Sequence, residues 1–113
     1  MPNPDSGESV TPVLDFPSAD GRVNAVRVDY TPGGYTRGTH THPAGAYVYV
    51  IEGSVMFGID DGEPFVLNAG DSFYEPPGAL HSISRNASNE HPASLIAFFV
   101  LSDGDEATVY HDA

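Results

Sequence analysis

The sequence predicts an all-β fold, a sandwich or barrel of about eight short strands, on three observations. No segment sustains an apolar period of 3.6 residues across successive turns, so no amphipathic helix is expected. Short runs rich in Val, Ile, Tyr and Phe recur at near-regular spacing. The 12 Gly and 10 Pro fall between those runs rather than in one cluster, as turns between strands require.

Residues 1–9 (MPNPDSGES) are polar and are expected to form a flexible N-terminal arm, with a single domain over 10–113. Val23 to Tyr30 alternates, placing Val26, Val28 and Tyr30 on one face, until Thr31-Pro32-Gly33-Gly34 breaks it. Ala46 to Glu52 is rich in Tyr and Val and stops at Gly53. Ser54 to Ile59 follows and is closed by the hairpin signal Asp60-Asp61-Gly62. Phe65 to Leu67, Ser72 to Glu75 and His81 to Ser84 read as short strands between Gly, Pro and Asn turns. Leu95 to Leu101 and Ala107 to Tyr110 complete the set.

Composition removes several classes of function. Sixteen acids face four basic residues, all arginine, for a net charge of −12. Nucleic acid and anionic membrane carry the same sign and are poor partners. The acidity reads first as solubility and second as suited to a salt-rich medium. With no cysteine, neither a disulfide nor a thiolate metal site is possible. Met1 to Thr11 has no basic start and no apolar core, unlike a signal peptide, and no apolar run reaches membrane-helix length. A cytoplasmic protein is expected.

Five histidines carry the chemistry: His40, His42, His81, His91 and His111. In an extended segment, His40 and His42 point to one face and can converge on one ion. His81 follows the stiff turn Pro76-Pro77-Gly78, which would launch a strand and aim its early side chains. His91 and His111 lie in polar stretches and read as surface residues.

These residues resemble the cupin family in two motifs. The first is a Gly, five residues, His-x-His, three or four residues, Glu, six residues, Gly; here it runs Gly34, His40, His42, Ala46, Gly53. Only the Glu is missing, replaced by Ala46. The second is a Gly, five residues, Pro-x-Gly, two residues, His, three residues, Asn; here it runs Gly70, Pro76, Gly78, His81, with Arg85 in the Asn place and Asn86 one residue late. Tyr49-Val50-Ile51-Glu52-Gly53 looks like the family's strand between the motifs. The resemblance spans Thr31 to Leu101 and implies a cupin-type double-stranded β-helix, a jelly-roll barrel. It implies His40, His42 and His81 as metal ligands and Gly53, Gly70 and Gly78 as structural turns, with Gly34 opening the metal-bearing strand.

Without the glutamate, the expected site is three neutral imidazoles around one divalent ion. That set leaves more charge on the metal and suits Fe, Mn, Ni, Cu or Zn. Glu75, just before Pro76, is the candidate substitute, as an acceptor of a substrate proton or as a carboxylate behind the metal's direct ligands; the competing reading is a solvated edge acid. Glu52 reads as a strand end, and Tyr47 and Tyr49 as outward-facing. Val48, Val50, Met56, Phe73 and Phe99 are expected pocket liners, and Arg37 a candidate anion anchor at the mouth.

The resemblance implies a metal-dependent small-molecule enzyme, a dioxygenase-like oxidoreductase. The alternatives are a non-redox isomerase or lyase, and a non-catalytic small-molecule or metal-binding module. Tyr47, Tyr49 and Tyr74 on an outer face suggest a homodimer.

Overall fold

The computed structural model describes residues 6–111. The strands are β1 (Glu8–Ser18), β2 (Gly21–Tyr30), β3 (Thr39–Thr41), β4 (Ala46–Glu52), β5 (Ser54–Ile59), β6 (Phe65–Asn68), β7 (Ser72–Glu75), β8 (Leu80–Asn86), β9 (Ala93–Ser102) and β10 (Val109–His111). They form two five-stranded sheets, ordered β1-β2-β9-β4-β7 and β10-β3-β8-β5-β6. Every pairing is antiparallel. The all-β jelly-roll expectation holds.

The core lies between the sheets and follows the period of two. On β4, Ala46, Val48 and Val50 are buried while Tyr47 and Tyr49 stand outside, as their parity predicts. Val55 and Phe57 of β5 meet Leu95 and Phe99 of β9 in the same cluster. Burying each such side chain stabilises the fold by about 1.5–3 kcal/mol.

β1 has no counterpart among the runs read from the sequence. Glu8 and Ser9, placed at the end of a loose arm, are its first two residues; residues 1–5 lie outside the described residues. Pro12 and Pro17 obscure this strand. It tolerates them because it is an edge strand paired only to β2, and its register shifts between Pro12 and Leu14. Gly34 also differs from expectation. It opens no strand; its missing side chain lets two backbone segments meet, since a Cβ there would stand 2.8 Å from the Gly7 carbonyl oxygen.

A bulge in β8 sets which residues face inward. Ile59 opposes His81, and Gly58 opposes Ile83, so Ser82 is an extra residue. Beyond it the parity inverts, and Ser84 and Asn86 are buried with His81 while Arg85 is exposed. This accounts for Asn86 standing one place late in the second motif. Its side chain donates to the carbonyls of Thr31 and His91, tying two loops together. Among the described residues, no helix is long and apolar enough to cross a membrane.

Candidate metal centre

The sequence brings four buried side chains to one point. His40 on β3 is the register partner of His81 on β8, so the two sit side by side across adjacent strands. His42 lies just beyond β3, and its carbonyl accepts from the amide of Gly45 and from that of Gly78 in the Pro76-Pro77-Gly78 turn. That turn therefore holds the His42 segment and the approach to His81 together. The fourth side chain is Glu75, the last residue of β7. Its register partner is Ala46, the position where the first motif has its glutamate.

Glu75 is 2% exposed, which overturns the solvated-edge reading. Its parity follows Phe73, which faces inward, whereas Tyr74 points out beside Tyr47. The site is thus not carboxylate-free, as the loss of the motif glutamate suggested. A carboxylate enters from the neighbouring strand, into space that a methyl group at position 46 leaves open.

The ligand-type atoms of His40, His42, Glu75 and His81 all lie within 4.8 Å of one another. His81 Nδ1 is 3.0 Å from His40 Nε2 and 3.2 Å from Glu75 Oε1; His42 Nε2 is 3.7 Å from the same oxygen. Donor atoms bound side by side to one ion at about 2.1 Å are separated by roughly 3.0–3.4 Å, so the spacing fits a shared cation. Glu75 Oε1 is buried and accepts no hydrogen bond. Such an oxygen needs a positive partner. None of the four arginines lines the cavity. The donor set and this oxygen together fit a divalent ion.

The imidazoles are prepared for that role. His42 Nδ1–H donates to the Ala107 carbonyl at 2.9 Å, leaving Nε2 as the lone pair that faces Glu75. Burial, reinforced by His81, His42 and His111, holds His40 far below the ordinary imidazole pKa, at about 3, and so neutral. Each ring is backed by an aromatic: Tyr110 at 5.8 Å from His40, Phe99 at 5.1 Å from His42 and Phe57 at 4.3 Å from His81, centroid to centroid. His91 and His111 are exposed and take no part in the cluster.

The cluster opens into a cavity of about 70 Å³. Of the expected liners, Val48 and Phe99 line it, while Val50 and Phe73 pack in the adjoining core. Met56 does not; it lies on the opposite face of β5, and Phe57 lines the cavity instead. Arg37 is exposed and does not line it either. Among the liners with no signal in the sequence are Glu8 of β1 and Tyr110 of β10, which long-range pairing brings there.

Comparison with known proteins agrees with this architecture. The cupin domain family matches residues 26–100. The chain is a cupin. It is 38% identical over 82 residues to germin-like protein subfamily 2 member 1 of Arabidopsis thaliana, covering 68% of this chain and 36% of that protein. It is 37% identical to germin-like protein 5-1 of Oryza sativa subsp. japonica over the same length and shares. This cupin therefore spans about a third of the length of the curated relatives it matches. Among solved structures, an oxalate oxidase in complex with the substrate analogue glycolate superposes with a TM-score of 0.70 at 26% identity, covering 93% of this chain and 55% of that one. A Klebsiella pneumoniae protein with a double-stranded β-helix domain gives a TM-score of 0.73 at 23% identity, over 100% of this chain and 90% of that one, and shares the cupin fold.

Proposed function

We propose that this cupin is a metal-dependent enzyme acting on a small molecule, an oxidoreductase of the dioxygenase-like kind, with one divalent ion held by His40, His42, His81 and Glu75. One observation carries the metal reading: a buried carboxylate oxygen faces three buried imidazoles, and no cationic side chain is near to neutralise it. The oxidoreductase reading is supported by likeness to an oxalate oxidase. When bound, the ion supplies Lewis acidity and, for Fe, Mn, Ni or Cu, access to redox chemistry.

The chain's own residues do the rest. His42, fixed by the Ala107 carbonyl, presents one nitrogen only. Phe57, Phe99 and Val48 exclude water around the cluster and raise the strength of each electrostatic contact. Glu75 lowers the charge of the bound ion by one unit and is placed to accept a proton from a ligand beside it. The outer face, with Tyr47, Tyr49 and Tyr74 between 43% and 51% exposed, supports a homodimer.

The test is elemental analysis of the purified protein followed by oxygen uptake with small enols, diketones and diols. A redox-active metal with ligand-dependent uptake is the expected result. Tightly held zinc and no uptake with any metal-loaded form would turn the reading to a non-redox isomerase or lyase, or to a binding module.

A further inference from the structure

The cavity contains a second carboxylate that the metal cluster does not use. Glu8, at the start of β1, lines it together with Tyr30, Thr36 and Ser84. Thr36 Oγ1 donates to Glu8 Oε2 at 2.6 Å. The Tyr30 hydroxyl is 2.6 Å from Thr36 Oγ1 and 2.7 Å from Ser84 Oγ. A hydroxyl has one proton to give. Thr36 gives its proton to Glu8, so Tyr30 donates to Thr36 and Ser84 donates to Tyr30. Four residues from β1, β2, the loop before β3 and the bulged half of β8 thus form one chain polarised toward Glu8. Burial is the larger influence and holds the Glu8 pKa above the usual carboxylate value, partly countered by the Thr36 bond, which favours the charged form.

The charge count gives the chain its meaning. A divalent ion beside Glu75 and Glu8 leaves the cavity neutral. The remaining walls are mostly apolar, among them Val26, Val28, Leu95 and Phe99, and none of the four arginines is present. An anionic ligand would bring an unbalanced charge next to Glu8 in a poorly solvated space. An uncharged ligand with a proton to donate would instead occupy acceptor capacity that Thr36 leaves free on Glu8. The volume of about 70 Å³ limits that ligand to a few heavy atoms.

We infer that this cavity takes a small uncharged molecule whose O–H or N–H donates to Glu8, and that it disfavours carboxylates of the same size. The inference rests on the metal reading above and names its substrate class. It separates this cupin from the oxalate oxidase it resembles, which is seen with glycolate.

Glycolamide and glycolate are isosteres that differ in an uncharged amide against a carboxylate. Their affinities for the metal-loaded full chain, measured by calorimetry, give a preference ratio for wild type and for Glu8→Gln. Wild type should bind glycolamide more tightly, and E8Q should shift the ratio toward glycolate by about tenfold or more. A wild type that prefers glycolate, or a ratio that moves less than about twofold in a folded, metal-loaded E8Q, overturns the inference while leaving the metal site standing. If E8Q does not fold, the wild-type ratio alone decides. Metal content of each sample, measured alongside, separates the two readings: a wild type that retains no ion overturns both.

Discussion

Ala46 on β4 and Glu75 on β7 are register partners, buried to 0% and 2% exposure, and the small side chain of one makes room for the long side chain of the other. Cross-strand partners have Cβ atoms about 4.5–5.5 Å apart, so a carboxylate can be handed from one strand to the next and still reach the same point. Glu75→Ala should weaken metal retention by about 100-fold. The double variant A46E/E75A should recover most of it, and A46E alone should fold less stably because two acids then crowd one space. Metal stoichiometry after dialysis against a chelator distinguishes the three. Failure of the double variant to regain metal would show that a carboxylate on β4 cannot take the place of Glu75.

The metal-free protein should lose stability as acid is added. His40 stays neutral when folded, with a pKa near 3, but takes a proton at its ordinary value near 6.5 once unfolded. Its folded pKa is depressed, so the unfolded chain binds more protons between those limits and stability declines as pH falls through that window. Thermal melts of the metal-free protein between pH 7 and pH 4 should show falling midpoints. His40→Gln should give a flatter profile over the same range.

Tyr30 is 2% exposed, and its hydroxyl links Thr36 to Ser84. Tyr30→Phe removes both links while keeping the ring, and leaves the buried Ser84 hydroxyl and the half-buried Thr36 hydroxyl each short of a partner. A loss of about 1–3 kcal/mol in urea denaturation is expected. Metal content should not change, since Tyr30 is not one of the four clustered residues.

Two glycines of similar backbone should respond differently to alanine. Gly53 has φ +71° and a Cβ there would stand 2.4 Å from the Pro92 carbonyl oxygen; Gly70 has φ +92° with open space around it. Gly70→Ala meets only the conformational cost, about 1–2 kcal/mol. Gly53→Ala adds a backbone collision and should be the more destabilising by at least about 1 kcal/mol, as read from denaturation midpoints.

The outer aromatic face predicts the assembly state. Tyr47 and Tyr74 rings lie 4.9 Å apart and both are about half exposed. Light scattering at micromolar concentration should give the mass of two chains, and Tyr74→Glu should reduce it to one.

Much of the site is legible because its residues obey local rules. His40 and His42 share a face by spacing, and the stiff turn at Pro76-Pro77-Gly78 delivers His81. Tyr47 and Tyr49 point outward because β4 alternates without fault across those positions. What stayed hidden depends on contacts between distant segments. On β5 nearly every side chain is apolar, so nothing local separates Met56, which faces out, from Phe57, which lines the cavity. Glu8 sits among Pro, Ser and Gly, and only its pairing with Tyr30 across β1 and β2 brings it inside. Ser84 has the parity of the outer face until the extra residue at 82 is counted.

That extra residue divides β8 into two independently adjustable halves. The stretch up to His81 keeps its register with β3, and the stretch from Ile83 onward keeps its own register with β5, the extra residue being absorbed between them. Removing Ser82 would place Ile83 directly after His81, opposite Gly58, so plain alternation would keep Ser84 facing the lumen and Arg85 facing solvent. The insertion thus adds length and local twist without choosing which side chains reach the lumen, so this scaffold can gain or lose a residue there and keep both its ion site and its ligand wall.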